Sequence, residues 1–568
     1  MRRKRKMSDI ELDCYTEWHN NTFAAKMNSD KKYMILRMGN FLISTAGLGW
    51  YILYALRGIC YAIENDFIPV VDWQNCKLPQ YNADKVGKEN IWEYFFEQPF
   101  HIGVMEAYAS DDYFVVDDIR NLSFGEILDM EDFVDFHNEN AIKWRGYFQQ
   151  YIRLKEEVKE YFEESRKQLE LTNKKVIGVL ARGTDYRDLR PAGHCCSIPE
   201  SDIFCQVDQL LEKTEDKIFL ATEDQNIFES FKNRYLKKVV TVDAKRYGKM
   251  ANGTLNMIYK EENGYERDLQ YLTALYNISK CSTYICTPCG GSVIASLMRE
   301  EKGDNYKFLY QGYNRAKGII IGSYLEKQRE EMILMGNKPI MFYTLNLIKL
   351  LKIEEVDIII SSVLKREYVK RIGKGECFGL KINYIISENY DIVNYMKSHI
   401  ENIKSSKMIF LYTDEFVHGK DIVRDLSHRL NTFDGAYIWG IRKSFSKNAE
   451  SVKVNEKNKI PEKVFSYYKK GNYELMGRYI FDYDLVNILK QLSSEDKEIT
   501  LSDILNEYIK RKKLFFLEYK RGIISLKISN VNVLEKTDQM ISLLEELQGD
   551  KIGNFMFFDK NTGFCKEK

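Results

Sequence analysis

The stretch Lys174 to Asp188, KKVIGVLARGTDYRD, constrains the chain more than any other. Val176 to Leu180 carries no charge, which predicts a strand buried on both faces as in a parallel sheet, and it breaks abruptly into Ala181-Arg182-Gly183-Thr184-Asp185-Tyr186. In α/β proteins, ligands bind outside the carboxyl ends of such strands. An Arg beside a Gly at that position brings a fixed charge and a close backbone to an anionic group such as a diphosphate. Taken alone, the stretch is equally open to a plainer reading, a surface turn with an ordinary Asp-Arg pair.

A chain of 568 residues should hold three to four domains at about 100 to 200 residues each. Its 84 basic and 83 acidic residues leave a net charge of +1, so bulk electrostatics give no case for nucleic acid or a membrane surface as partner. The eleven cysteines are scattered and odd in number, which points to reduced thiols and a cytoplasmic location. Cys286-Thr-Pro-Cys289 is formally CxxC, but no second pair follows at zinc spacing, so buried thiols and no metal are expected. The basic start, MRRKRKM, runs into SDIELDCYTEW and not into the apolar core of a signal peptide. Phe41 to Leu56 falls short of the roughly 20 apolar residues of a spanning helix, so a soluble protein is expected.

In the first half, the strand Lys32 to Met38, the loop Gly39 to Gly49, a helix from Trp50 to Glu64 and the strand Ile68 to Asp72 predict a βαβ opening. The loop lacks a full GxGxxG. NIWEYFFEQPF from Asn90 is an aromatic stripe, read as core or interface, with Glu93 and Glu97 four apart on one helical face. One or two helices fill Asn140 to Leu171. After the opening strand come a helix Pro199 to Lys213, the strand Lys217 to Leu220 ending in Glu223-Asp224, and the helix Gln225 to Leu236. The strand Lys238 to Val242, the helix Glu266 to Lys280 and the strand Thr283 to Cys286 follow, the last running into Gly290-Gly291-Ser292 ahead of a helix from Val293 to Glu300. Strand, Gly-Gly-Ser, helix is an anion cradle in principle, because free N–H groups at a helix start face a ligand.

ARGTDY, the FLATED strand end and the SKC…GGS junction resemble the three donor-site motifs of GT-B inverting fucosyltransferases, the α1,6- and O-fucosyltransferase relatives, over about residues 32 to 313. The resemblance implies metal-independent, inverting transfer of fucose from GDP-fucose. It puts the leaving-group Arg on Arg182, the acidic pair that reads guanine or ribose on Glu223 and Asp224, and the phosphate-binding turn on Gly290, Gly291 and Ser292. Gly183 belongs to the same donor loop, and Asp185 matches the motif Asp, a loop-ordering or catalytic residue. Two positions depart from the eukaryotic motif: Leu180 stands where a His is frequent, and Gly183 where a second basic residue follows. Inversion needs a base for the acceptor hydroxyl, for which His194 and Asp185 are candidates and Glu97 an outsider.

From Lys317 the pattern restarts with KGIIIG, then NKPIMFYTL, IGKGECFGLKINY, FLYTDEFVHG, PEK…GNYELMGRYIFD and the tail EITLSDILNEYI. These landmarks resemble the sugar-1-phosphate nucleotidyltransferases of the glucose-1-phosphate thymidylyltransferase type across residues 316 to 550. The family's Gly-rich GxGTR loop is replaced here by GSYLEKQREE, and its Lys near the KP landmark falls on Glu330. Asp414 matches one metal-ligand Asp, whereas the second falls on Lys527. A carboxylate facing a Lys is a poor Mg²⁺ site, which predicts an inactive domain kept for binding or scaffolding.

The expected architecture is therefore α/β: a tail at 1–30, Rossmann-like units at 31–172 (acceptor side) and 173–315 (donor side) forming a GT-B transferase, and a third Rossmann-like, nucleotidyltransferase-type domain at 316–568. The expected function is fucosyl transfer to a glycan or lipid-linked oligosaccharide in cell-surface polysaccharide assembly, with no cofactor. An oligomer through the C-terminal domain is a further expectation. Two alternatives stand beside it: a non-catalytic nucleotide-sugar-binding or scaffold protein, and a bifunctional sugar-1-phosphate nucleotidyltransferase and glycosyltransferase.

Overall fold

The computed structural model describes residues 32–39, 46–78, 81, 85–119, 122, 129–172, 175–191, 193–211, 217–249, 255, 264–300, 306–336, 338–399, 402–419, 422–432, 434–442, 450–466, 471–493, 498–519, 523–548, 557–559 and 564–566. The expected tail at 1–30, and residues 40–45 of the loop from Gly39 to Gly49, lie outside them. The chain divides into two compact units, Met1–Tyr310 and Gln311–Lys568. The boundary thus precedes the strand Tyr313–Ile321, which the expected division at 315/316 would have cut.

The first unit contains two parallel sheets. In the smaller one, β1 (Tyr33–Leu36) lies between β2 (Ile68–Val71) and β3 (Tyr113–Val116), and α1 (Leu48–Glu64) connects β1 to β2. All four residues of β1 are buried, as an uncharged YMIL run requires. Arg37, next in sequence, is nearly fully buried and is held by Asp72 at 2.9 Å and Asp117 at 3.1 Å.

The aromatic stretch after Asn90 is buried as expected, with Trp92, Phe95 and Phe96 fully enclosed, but it is not an α-helix. It forms a single 3₁₀ turn, Ile91–Tyr94, so Glu93 and Glu97 share no helical face. The reason is hydrogen bonding to the open edge of β2. Val71 donates its N–H to Gln98 Oε1 and its carbonyl accepts from the amides of Asn90 and Gln98, while Trp73 N–H donates to Asn90 Oδ1. Satisfying those edge groups fixes both ends of the segment and leaves no room for a regular helix. Two helices follow, α2 (Glu139–Tyr151) and α3 (Glu156–Gln168).

The larger sheet runs β6-β5-β4-β7-β8, all parallel, with β4 (Val176–Leu180) at the centre between β5 (Lys217–Ala221) and β7 (Thr283–Cys286). Its edges are β6 (Val239–Val240) and β8 (Tyr306–Phe308). The chain moves outward from β4 through β5 to β6, then returns to the other side of β4 for β7. That reversal makes the carboxyl ends of β4 and β7 the topological switch point of the sheet, the place where doubly wound sheets bind ligands. The short helix α4 (Thr184–Asp188) leaves β4, α5 (Glu200–Leu210) precedes β5, α6 (Gln225–Tyr235) leaves β5, α7 (Gly264–Ser279) precedes β7, and α8 (Gly290–Met298) leaves β7.

The second unit is built on a mixed sheet of nine strands. Its main path runs β13 (Lys381–Ile386), β12 (Glu355–Ile360), β9 (Tyr313–Ile321), β14 (Ser405–Tyr412), β19 (Tyr473–Asp482), β16 (Ala436–Ile441) and β20 (Leu514–Glu518). β19 is antiparallel to both its neighbours on that path. The hairpin of β17 (Ser451–Val454) and β18 (Pro461–Phe465) extends it. Apolar cores lie on both faces: Ile319, Phe410, Ile438 and Phe481 belong to one, Ile320, Ile358, Ile409 and Trp439 to the other. Such alternation along each strand is what a sheet covered on two sides demands. The helix α9 (Tyr324–Arg329) leaves β9, and a separate ribbon pairs β15 (Glu415–His418) with β21 (Ile524–Lys527).

Candidate functional site

At the carboxyl end of β4, the backbone N–H of Arg182 donates to Thr287 Oγ1 at 2.8 Å, tying the β4 and β7 strand ends together. The Arg182 guanidinium lies 2.9 Å from Asp185 Oδ1 and 3.1 Å from Glu223 Oε1, and its carbon sits 5.0 Å from the Tyr186 ring centroid. Its side chain remains 21% exposed, so the charge is oriented by two carboxylates yet still reaches solvent. Arg182, Asp185 and Glu223, which the sequence separates by up to 41 positions, are brought together here.

The acidic pair at the β5 end holds the β4 turn. Glu223 Oε1 accepts from Gly183 N at 2.9 Å and Thr184 Oγ1 at 3.0 Å. Asp224 Oδ2 accepts from Thr184 N at 2.7 Å and pairs with Arg187 at 2.9 Å, while its Oδ1 caps α6 through Asn226 N and Ile227 N. Both carboxylates therefore point into the loop, where they do the work of ordering it. Gly183 is required by this arrangement, because a Cβ there would stand 2.4 Å from Asp224 Oδ2. Thr184 has φ of +41°, a conformation a β-branched residue rarely adopts, and the bonds from Asp224, Glu223 and Asp185 hold it in place. Thr184, Arg187 and Thr287 escaped the sequence reading. The one local signal was Asp224 ahead of a helix, the mark of an N-cap.

His194 is brought to the same loop, its Nδ1 3.3 Å from Tyr186 Oη and its ring edge-on to the tyrosine with centroids 5.5 Å apart. Desolvation lowers its pKa, with Asp185 pulling up and the Arg182 charge adding to the depression, so the imidazole is neutral at pH 7. Asp185 is almost fully buried and its Oδ1 accepts from Arg182, Thr184 Oγ1 and Tyr186 N, the pattern of a loop-ordering carboxylate. Glu97 is engaged by Arg153 at 3.3 Å.

At the β7 end, α8 begins at Gly290, three residues before the expected start. Ser292 is completely buried and its hydroxyl closes a capping box, accepting from Cys289 N at 2.9 Å and donating to Cys289 O at 2.8 Å. Gly290 and Gly291 permit close packing: a Cβ on Gly291 would lie 2.7 Å from Tyr271 Oη, and one on Gly290 3.4 Å from the backbone of Gly49 and Trp50 in α1. Burial pushes the thiols of Cys286 and Cys289 up in pKa, as structural cysteines behave. Among the described residues, no group of three or more His, Cys, Asp or Glu is disposed to hold a metal ion. No described helix is long and apolar enough to cross a membrane.

In the second unit, the corresponding strand end follows β14. Asp414 is 3% exposed, and its backbone carbonyl accepts the N–H of Ile528 at 2.6 Å. Burial and the neighbouring Glu415 push its carboxyl up to about 7, against the pull of Lys527. Glu326 in α9 and Glu450 are likewise pushed up to about 7, chiefly by burial. Glu326 accepts from Ile333 N at 2.8 Å and Tyr368 Oη at 2.6 Å, and Glu450 from Tyr479 Oη at 3.3 Å. Lys527 pairs opposite Glu415 in the β15–β21 ribbon, with its side chain exposed. Glu330 ends α9 in the left-handed region at φ of +52°.

No family model matches the chain. Over 230 residues, 39% of this chain and 77% of the relative, it is 20% identical to the glucose-1-phosphate thymidylyltransferase of Neisseria meningitidis serogroup A / serotype 4A (strain DSM 15465 / Z2491). Part of this chain has a sugar-1-phosphate nucleotidyltransferase-like fold. Among solved structures, a Bacillus anthracis protein assigned as a glucose-1-phosphate thymidylyltransferase, in complex with sucrose, is similar at 17% identity over 44% of this chain and 99% of its own, with a TM-score of 0.36. A UDP-glucose pyrophosphorylase complexed with UDP-glucose is similar at 12% identity over 40% of this chain and 99% of its own, with a TM-score of 0.34. None of these relatives is a fucosyltransferase, and the expected GT-B transferase is not among what they support.

Proposed function

We propose that this chain handles nucleotide sugars in both units: the first transfers a sugar, fucose from GDP-fucose, to a glycan or lipid-linked acceptor, and the second binds a nucleotide sugar or sugar phosphate without nucleotidyl transfer. The observation that carries the transferase reading is Arg182, a partly exposed guanidinium at the β4–β7 switch point, fixed by Asp185 and Glu223. Inverting transfer requires charge stabilisation on the departing diphosphate and a base for the acceptor hydroxyl. Arg182 supplies the first, with Asp185, Glu223 and Asp224 as the residues that position its loop. His194, neutral at pH 7 and joined to that loop through Tyr186, is the favoured base. Gly290 and Gly291 open α8 beside the switch point and would contribute backbone N–H groups to the diphosphate.

A second reading, a bifunctional nucleotidyltransferase and glycosyltransferase, has the 230-residue likeness to a thymidylyltransferase in its favour. Against it stand the residues at its strand end. A Mg²⁺ ion needs oxygen ligands, yet Asp414 is nearly buried, and the position expected to supply a second carboxylate carries Lys527. That donor set does not fit the ion.

The test is donor hydrolysis by the full chain with a panel of GDP- and UDP-sugars in EDTA. Turnover of a GDP-sugar is expected; none with any GDP-sugar would sink the transferase reading. Incubation with dTTP, glucose 1-phosphate and Mg²⁺ is expected to release no pyrophosphate, and its release would establish the bifunctional reading instead.

A further inference from the structure

One cavity of the second unit lies where apolar side chains meet three buried polar ones. Leu347 of α10 (Met341–Leu350), Leu411 and Phe416 form part of its wall, and Thr413, Glu415 and Arg478 line it as well. Those three are 2%, 7% and 2% exposed. We infer that this cavity is a binding site for one water molecule, which bridges Thr413 and Glu415 beside the Arg478 guanidinium and so pins the turn after β14 to β19.

Three observations carry it. First, Thr413 Oγ1 and Glu415 Oε2 are buried atoms without a hydrogen-bond partner among the described residues. A hydroxyl or a carboxylate oxygen taken out of water is costly unless something bonds to it, and here two such atoms belong to the lining of a single cavity.

Second, the surroundings are shaped to bring that carboxylate in. Glu415 Oε1 accepts from Gly477 N at 2.8 Å, and a Cβ on Gly477 would stand 2.5 Å from the same oxygen, so the approach depends on glycine there. Arg478, next in β19, donates to the Glu415 carbonyl at 2.7 Å and to the Tyr519 hydroxyl, and it forms no ion pair among the described residues. Cation and carboxylate thus share the enclosure without touching each other.

Third, size and charge choose the ligand. The cavity measures about 20 Å³, above the roughly 10 to 15 Å³ that a water requires and far too small for a phosphate or a sugar ring. A cation entering it would meet Arg478, and an anion would meet Glu415. Water is neutral, donates to the carboxylate, and can either give a hydrogen bond to the Thr413 hydroxyl or take one from it.

The bridge has a mechanical consequence. The backbone of the turn is already held at two places, by Thr413 N–H on the Ile321 carbonyl at 2.9 Å and by Ile528 N–H on the Asp414 carbonyl at 2.6 Å. A water between Thr413 and Glu415 adds a link across the two sides of Asp414, and it keeps the Glu415 carboxylate on Gly477 N.

The test uses the full chain, as wild type, Thr413→Val and Thr413→Ser. Crystals of each are examined by diffraction, with separate soaks in sodium bromide and rubidium chloride for anomalous scattering, and amide hydrogen exchange at Gly477 is followed in solution by mass spectrometry. One water peak is expected within hydrogen-bond distance of Thr413 Oγ1 and Glu415 Oε2 in the wild type. It should persist in Thr413→Ser, vanish in Thr413→Val, and give way to neither bromide nor rubidium. Exchange at Gly477 should quicken about tenfold in Thr413→Val, the scale of one lost hydrogen bond, and stay near the wild-type rate in Thr413→Ser. A wild-type cavity without that peak, an anomalous ion in its place, or unchanged exchange in Thr413→Val overturns the inference. Should Thr413→Val fail to fold, the wild-type density and the two soaks decide it alone.

Discussion

The strand ends of the two units treat their carboxylates in opposite ways. In the first unit, acids meet guanidinium groups: Asp185 and Glu223 pair with Arg182, and Asp188 and Asp224 with Arg187, at distances of 2.9 to 3.1 Å. In the second, Glu326 and Glu450 meet tyrosine hydroxyls, and Glu326 also accepts the Ile333 amide N–H. Burial beside a partner of opposite charge leaves an ion pair ready for an anionic ligand to enter. Burial without one pushes the carboxyl toward its neutral form, here up to about 7 at three positions. The two strand ends thus carry different chemical means: the guanidinium of the second, Arg478, is buried and held by the Glu415 carbonyl at 2.7 Å, whereas that of the first, Arg182, is held by carboxylates and stays partly exposed.

The largest effect should come from removing that guanidinium. Arg182→Ala is expected to lower GDP-sugar turnover by about a thousandfold, the scale seen when one transition-state charge stabiliser is lost, with the fold retained in circular dichroism. Turnover within tenfold of wild type would erase the contrast between the units.

The pH dependence of the second unit comes next. Glu326 has a folded pKa of about 7 against an ordinary 4.5, so the folded chain keeps a proton that the unfolded chain releases. The resulting stability is fully present below pH 4.5 and is lost as pH rises through 7. Glu326→Gln should remove that slope, raising stability at pH 8 by about 3 kcal/mol relative to wild type while changing little at pH 5. Urea unfolding at the two pH values checks this, and parallel curves for both proteins would contradict it.

Smaller effects sharpen the first unit. Gly183→Ala forces a methyl against Asp224 and should cost about 2 kcal/mol in urea unfolding. Ser292→Ala removes the capping box of α8 and should cost about 1 kcal/mol, measured the same way. A Ser292→Ala variant as stable as wild type would mean that the hydroxyl is not committed to the cap.

The strands that frame the first site were legible because uncharged runs such as Val176 to Leu180 and Thr283 to Cys286 suit only a buried parallel sheet. The convergence of Arg182, Glu223 and Gly290 at one edge followed from the alternation of strands and helices. What each acid does there was not legible. Glu223 and Asp224 bond to a loop some 40 residues earlier, and only the adjacency of β4 and β5 in the sheet reveals it. The helix periodicity read after Asn90 failed for a similar reason: the open edge of β2, remote in sequence, takes up the amides of Asn90 and Gln98. The resemblance puts phosphate binding on the turn Gly290, Gly291 and Ser292; α8 begins at Gly290, so the Ser292 hydroxyl falls at the capping position, which a helix expected from Val293 does not reveal.

The central question is whether the Arg182 strand end releases a sugar from its nucleotide without metal. Single-turnover release of GDP from GDP-fucose in EDTA, compared between the wild-type chain and Arg182→Lys, tests this most directly. Release by the wild type, with a loss of at least about a hundredfold when the fork of the guanidinium is replaced by a single ammonium, is the predicted result. Equal rates for the two proteins, or no release by either, would contradict it.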